Sequence, residues 1–256
     1  MVSEMLKRAV RRLVQLDRRV RNYFLLDASP DDLIRMGSGD GGWWLPARLL
    51  KSRAIAVCAG AGEDISFDIS LVGRGVTVYT VDPTPRAVAH VSAVLNALQQ
   101  ASGGLVKNLN YHDYATPVFD EERFIFTPVG LWSRRERLKF FAPRNPSHVS
   151  YSLVNLQHTE DHFLAECVPL REFMESKAIE RVDVLKLDIE GAEYVVLEQM
   201  ISDRIFPDCL LVEFDEGHSI DRFDRKRFMD TIKTLKKHGY KLVKTERWNF
   251  TFVMNQ

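Results

Sequence analysis

The chain has few cysteines, no long apolar run and no excess of either charge, and each lack removes a class of protein. Cys58, Cys167 and Cys209 are scattered among apolar neighbours, so they form neither a disulfide framework nor a zinc site and suit a reducing compartment. No apolar stretch approaches the roughly 20 residues that span a bilayer, and the start of the chain is too charged for a secretory signal. Lys plus Arg (35) balance Asp plus Glu (35). That balance argues against a general nucleic-acid binder, whose affinity rests on a basic excess, while leaving room for a local basic patch. Internal repeats and low-complexity segments are also absent. The expectation is a soluble, cytoplasmic protein whose 256 residues bury one sizeable core.

What is present is organised around residues 182–200, VDVLKLDIEGAEYVVLEQM. Its first half is a short apolar run of the kind buried on both faces of a parallel sheet. The run stops on Asp188 and Glu190, and Gly191 then opens a helical pattern. Ligands of open α/β sheets bind at the carboxyl ends of strands, so this acid pair stands where chemistry is done. The plainer alternative is a helix cap.

Taken in order, residues 1–26 form a basic amphipathic pattern. It suits peripheral contact with an anionic membrane surface, or a helix laid across the domain with its charges in solvent. Ser29, Pro30 and Asp31 predict a cap and a short helix through Arg35. The stretch GSGDGGWWLP, residues 37–46, reads as a mobile loop whose Trp43 and Trp44 either cover a pocket or plug the core. From Ala54 onward strands and helices alternate, which predicts a doubly wound sheet. Strands are expected at 54–58, 76–81, 124–129, 182–189 and 209–214, with helices at 85–100, in LREFMES and at 222–238, and a closing antiparallel pair at 241–244 and 250–253. Residues 131–168 read as an insertion with a hairpin around 138–142. The chain thus divides into an N-terminal extension, residues 1–50, and a doubly wound α/β domain, residues 51–256.

The turn after the first of these strands is Gly60-Ala61-Gly62-Glu63-Asp64. It lacks the third glycine of a dinucleotide fingerprint, and Glu63 and Asp64 occupy the helix start where a pyrophosphate would lie. The two acids would repel phosphates and favour a cationic cofactor such as S-adenosylmethionine. Asp82 ends the next strand twenty residues past Gly62, where an acid accepts ribose hydroxyls. A turn-and-cap role for Asp82 is the alternative.

The stretches GAGEDISFD (60–68), VDPTPRA (81–87), PVGLW (128–132) and above all LKLDIEGAEYVVLE (185–198) resemble the FkbM family of S-adenosylmethionine-dependent methyltransferases. The matching blocks run in order from about Gly41 to Glu213. The resemblance implies a class I methyltransferase fold, mostly parallel with a C-terminal antiparallel strand, and methyl transfer to a hydroxyl of a sugar, glycan or other natural product. It further implies that Gly60, Gly62 and Asp64 line the methionine part of the cofactor and Asp82 the ribose, with Asp188 and Glu190 facing the methyl group. Trp43, Glu63 and Gly130 complete the candidate cofactor contacts. One departure is Cys58, which stands where many methyltransferases carry an acid.

An alcohol is a weak nucleophile, so transfer to it needs in-line orientation and a base. Asp188, Glu190, Glu213 and His218 are the candidates, all near the ends of the fourth and fifth strands. The three acids could instead hold a divalent cation, but no ligand spacing is diagnostic and a metal-free site is preferred. His158 and His162 lack the adjacent glutamate of a zinc-protease motif and read as loop. Two competing readings are a methyltransferase fold that binds without catalysis, motivated by Cys58, and a nicotinamide-dependent oxidoreductase, disfavoured by Glu63 and Asp64. The sequence leaves the acceptor and the oligomeric state open.

Overall fold

A computed structural model describes residues 25–100, 105–109, 112–115, 119–142, 159–214 and 223–255. The basic N-terminal segment, His158 and His218 lie outside the described residues. Among the described residues fourteen strands follow in chain order. They are β1 (Leu33–Met36), β2 (Trp43–Pro46), β3 (Ile55–Ala59), β4 (Thr77–Val81), β5 (Leu105–Leu109), β6 (His112–Ala115), β7 (Phe124–Thr127), β8 (Gly130–Leu131), β9 (Glu136–Phe141), β10 (His162–Val168), β11 (Val184–Leu187), β12 (Cys209–Glu213), β13 (Tyr240–Glu246) and β14 (Asn249–Met254). The helices are α1 (Ser66–Val72), α2 (Pro85–Gln100), α3 (Leu170–Ser176), α4 (Glu193–Ser202) and α5 (Arg225–Lys237).

Seven strands form the central sheet in the order β13-β14-β12-β11-β3-β4-β7. β12, β11, β3, β4 and β7 run parallel, and β14 pairs antiparallel with both β12 and β13. The parallel strands are short and apolar because helices cover both of their faces. Phe67, Ile69 and Leu71 of α1 and Val91 and Val94 of α2 pack on one face. Phe173 of α3, Leu197 and Met200 of α4 and Phe228, Ile232 and Leu235 of α5 pack on the other. Each such side chain contributes roughly 1.5–3 kcal/mol by leaving water. Lys186 breaks the pattern: it is 3% exposed within the otherwise apolar β11.

Sequence chemistry sets several boundaries. Pro85 supplies the first residue of α2, where its missing N–H costs nothing. Thr84 Oγ1 accepts the Ala87 N–H at 3.3 Å. Asp224 caps α5 by accepting the Arg227 N–H at 3.0 Å, and Gly239, with φ +95°, ends it.

Two expectations need correction. The helix expected through Arg35 is instead β1, which pairs antiparallel with β2 in register from Leu33↔Pro46 to Met36↔Trp43. The loop between them is tied down rather than mobile. Arg35 donates to the carbonyls of Ser38 (2.5 Å) and Gly39 (2.9 Å), and Ser38 Oγ donates to Asp64 at 2.5 Å. Trp43 is buried in the core beside Leu45 and Phe67, whereas Trp44 lies under Lys244, 4.4 Å from the ring centre, and donates to Glu246 at 3.1 Å. The insertion is a separate three-stranded sheet in the order β8-β10-β9, which places the expected hairpin residues in β9 against β10.

The order of winding reverses between the parallel strands β3 and β11: β4 and β7 build outward from β3 on one side, and β11, β12 and β14 on the other. Gly60 follows β3 and Asp188 follows β11 at this switch point. Gly60 has φ +92°, and a Cβ there would overlap the Asp188 carbonyl. Gly60→Ala is therefore expected to cost about 3 kcal/mol or more, adding steric overlap to left-handed strain. Chemical denaturation measures this, and an unchanged midpoint would show that the strand ends do not meet so closely.

Candidate active site at the switch point

The turn after β3 is held from below by Asp82. One carboxylate oxygen of Asp82 accepts the N–H groups of Ala61 and Gly62, each at 3.0 Å. The other accepts the Thr84 N–H at 2.8 Å and the Thr84 hydroxyl at 2.7 Å. The acid expected to meet the ribose thus also latches the glycine turn to the start of α2. Gly60 N–H donates to Val81 at 3.0 Å, closing the same corner. At Gly62, φ is +50° and a Cβ would meet nothing within 4 Å, so this backbone leaves open space beside it.

The acids that follow are engaged as well. Arg86 donates from Nε (3.2 Å) and Nη2 (3.0 Å) to one oxygen of Glu63. Asp64 accepts the Ser66 N–H at 2.8 Å besides the Ser38 hydroxyl. Of the two acids expected to repel phosphate, Glu63 thus has its charge offset by Arg86.

Across the switch point, Asp188, Ile189, Glu190 and Gly191 link β11 to α4. Glu190 (φ +57°) and Gly191 (φ +101°) are both left-handed, a conformation that costs a non-glycine residue on the order of 1 kcal/mol. Glu193 over-determines it. Its buried carboxylate accepts the Ile189 N–H at 2.9 Å and the Gly191 N–H at 3.0 Å. The loop is therefore wrapped around an internal acceptor, which leaves Glu190 facing the cleft.

Beneath both halves lies a buried polar cluster. Lys186 Nζ donates to the Gly60 carbonyl at 2.6 Å and contacts the Asp188 carboxylate at 3.2 Å. Its neighbours are Cys58, its register partner on β3, and the Trp43 ring, 6.0 Å away. Burial opposes the lysine's charge, yet Asp188 and Asp68 hold its pKa above the ordinary value. Asp68 on α1 accepts the Thr80 hydroxyl at 2.6 Å through one oxygen, and its other oxygen is buried without a hydrogen bond. Burial pushes the Asp68 carboxyl up to about 6, against the pull of Lys186. Burial, with the charge of Asp68 added, also pushes the Cys58 thiol up.

A cavity of ≈ 360 Å³ opens above this cluster, a size usual for small-molecule sites. Gly60, Gly62, Glu63, Asp64 and Asp82 line one side and Asp188, Glu190 and Glu213 the other. Gly130 lines it too; a Cβ there would lie 2.7 Å from Cys167 Sγ, so glycine lets β8 tuck beneath β10. Trp43 belongs to the core and is not part of the lining. Among the described residues no three acid, histidine or cysteine side chains gather closely enough to hold a metal ion.

Sequence reasoning named no role for Lys186, Glu193, Asp68, Arg86 or Phe140, which also lines the cavity. A signal existed for the first two, because both lie inside the LKLDIEGAE block. A lysine in a strand buried on both faces must have acceptors.

A seven-stranded sheet of this order, with a glycine turn after its first central strand and acids after the neighbouring one, is the class I methyltransferase form of the Rossmann-like fold. The methyltransferase FkbM domain model matches residues 57–242, and the chain belongs to that family. No curated protein matches it significantly. Among solved structures, it is similar to an rRNA methylase from Streptococcus thermophilus (11% identity, 82% of this chain and 92% of that one, TM-score 0.41). It is also similar to Methanococcus jannaschii fibrillarin, a pre-rRNA processing protein (13%, 88% and 83%, TM-score 0.41). Aeropyrum pernix fibrillarin, solved with S-adenosyl-L-methionine, is a third (12%, 81% and 68%, TM-score 0.39).

Asp68 makes the fold sensitive to pH. Its folded pKa of about 6 lies above the usual 3.8, so its contribution is complete below 3.8 and is lost as pH rises through about 6. The loss by neutral pH is on the order of 3 kcal/mol. Asp68→Asn removes that dependence. Melting curves are expected to show the variant gaining on the parent between about pH 4 and about pH 7, and parallel curves would show that Asp68 ionises freely in the fold.

Proposed function

We propose that this protein is an S-adenosylmethionine-dependent methyltransferase acting on a hydroxyl oxygen of a small-molecule or glycan acceptor. The observation that carries this reading is one cavity that joins the glycine turn of β3 to the acid pair after β11. The residues present fit the cofactor. Gly62 leaves room for close approach of a ligand to the backbone, and Asp64 and Glu63 offer acceptors for its amino group and hydroxyls on a turn that Asp82 holds. S-adenosylmethionine supplies an electrophilic methyl group on a sulfonium centre.

The protein's own share of the reaction is placement, proton removal and exclusion of water. Asp82 keeps the turn in its binding shape. Asp188 and Glu190 would orient the acceptor hydroxyl, and Asp188 is the proposed base because Lys186 fixes the direction of its carboxylate. Leu131 and Phe140 form an apolar wall beside the same cavity. Acids on both sides, with Lys186 at their base the lining cation among the described residues, oppose a phosphodiester acceptor and favour a neutral or cationic one. That supports a polyhydroxylated small molecule or glycan over RNA. No helix among the described residues is long and apolar enough to cross a membrane.

Titration calorimetry with S-adenosylmethionine tests the cofactor, and absence of binding at millimolar concentration would sink the proposal. Methyl transfer from labelled cofactor into hydroxylated metabolites and glycans tests the acceptor. Asp188→Asn is expected to lower transfer by about 10²–10⁴ while leaving cofactor affinity within a few-fold.

A further inference from the structure

We propose that Lys186 is a positioning residue which, from inside the sheet, clamps the cofactor turn and the Asp188 carboxylate at one fixed spacing. The proposal rests on the reading of Asp188 as the base facing the transferred group. Its ground is geometric. Residues 186 and 188 lie two apart along an extended strand end, and Lys186 is level with Cys58 in the parallel ladder. The ammonium thus sits under the gap between β3 and β11, where the order of winding reverses. From there it reaches the Gly60 carbonyl at 2.6 Å and Asp188 at 3.2 Å. These contacts belong to opposite sides of the cavity.

Burying an ammonium costs several kcal/mol unless its donors and charge are satisfied. A simple need for packing would place an aliphatic residue here, as it does at Val184, Leu185 and Leu187. One structural account competes. Asp68 is buried nearby with an oxygen lacking a hydrogen bond, so Lys186 could serve only as its countercharge. The two accounts differ in what happens when both charges are removed together. A pure countercharge becomes dispensable once Asp68 is neutral, whereas a clamp does not.

The full chain would be compared with Lys186→Met, Asp68→Asn, the Lys186→Met/Asp68→Asn double variant and Asp188→Asn. Melting temperature reports stability. Calorimetry with S-adenosylhomocysteine and with sinefungin reports the site, because sinefungin carries a protonated amine where the methyl group would be. Lys186→Met alone is expected to melt early, and adding Asp68→Asn to recover part of that loss. The double variant should still bind S-adenosylhomocysteine about tenfold or more weakly, through a loosened glycine turn. Its preference for sinefungin over S-adenosylhomocysteine should fall to the ratio seen in Asp188→Asn.

If the double variant binds both ligands as the parent does, Lys186 is a countercharge and the clamp is overturned. If Asp188→Asn itself leaves the sinefungin preference unchanged, Asp188 does not face the transferred group, and the clamp falls with that reading. A double variant that does not recover stability supports the clamp, since Asp68 is then neutral and the missing contacts are those to Gly60 and Asp188.

Discussion

The structure depends on the approach of two strand ends at the middle of its sheet. Beyond β3 the chain must turn so tightly against β11 that the Gly60 α-carbon lies on the Asp188 carbonyl, and no side chain fits between them. That contact requires glycine on one side. On the other, the ladder carries on past β11, with Asp188 N–H donating to Ala59 at 3.1 Å. The cleft above the sheet exists because the two chains then diverge, one into α1 and the other into the Glu190 loop. Close packing below and divergence above come from the same reversal of strand order, which is why α/β sheets bind ligands there.

Holding two divergent turns still demands internal acceptors, and the molecule uses carboxylates for this more than once. Asp82 gathers the N–H groups of the glycine turn and of Thr84, and Glu193 gathers those of Ile189 and Gly191. Hydrogen bonds to charged groups are about twice as strong as neutral ones, so each loop is shaped by a buried charge and not by packing alone. Glu190 can then adopt a left-handed backbone that a freely hinged loop would not retain. Acid-rich composition around the cavity is therefore partly structural. Of the acids near it, Asp82 and Glu193 spend their oxygens on backbone, and Glu63 is paired with Arg86.

Legibility in the sequence follows the range of the interaction. The parallel strands, α2, α3 and the terminal hairpin could be read from periodicity, proline and glycine, because local geometry decides them. The extents of α2 and α3 agree with the helices read at 85–100 and in LREFMES. Residues 29–46 could not be read this way. A proline beside two aspartates signals a helix start, yet Leu33–Met36 becomes a strand because Trp43–Pro46 pairs with it and carries Trp43 into the core. The pairing of Glu63 went unread for a related reason: its partner Arg86 is 23 residues away, in α2. The positions of Asp188, Glu190 and Glu213 around one cavity were legible, since strand ends converge by topology. Lys186 and Asp68 were hidden inside apolar patterns, where a single polar residue barely disturbs the periodicity.

The buried charges show what the fold gives up for the site. Asp68 is ionised at neutral pH only against burial, and Lys186 holds its charge in a strand where leucine or valine would pack better. A buried ion pair is commonly no more stabilising than an apolar pair of the same size. Stability alone therefore gives no reason for Asp68, Lys186 and Asp188 to lie together at the switch point. What an apolar replacement could not do is bond the Gly60 carbonyl and a carboxylate at the cavity floor at once. The cluster is best understood as fixing the direction of the Asp188 carboxylate relative to the glycine turn above their backbone contact, at a place where a displacement of about 1 Å is enough to impair catalysis.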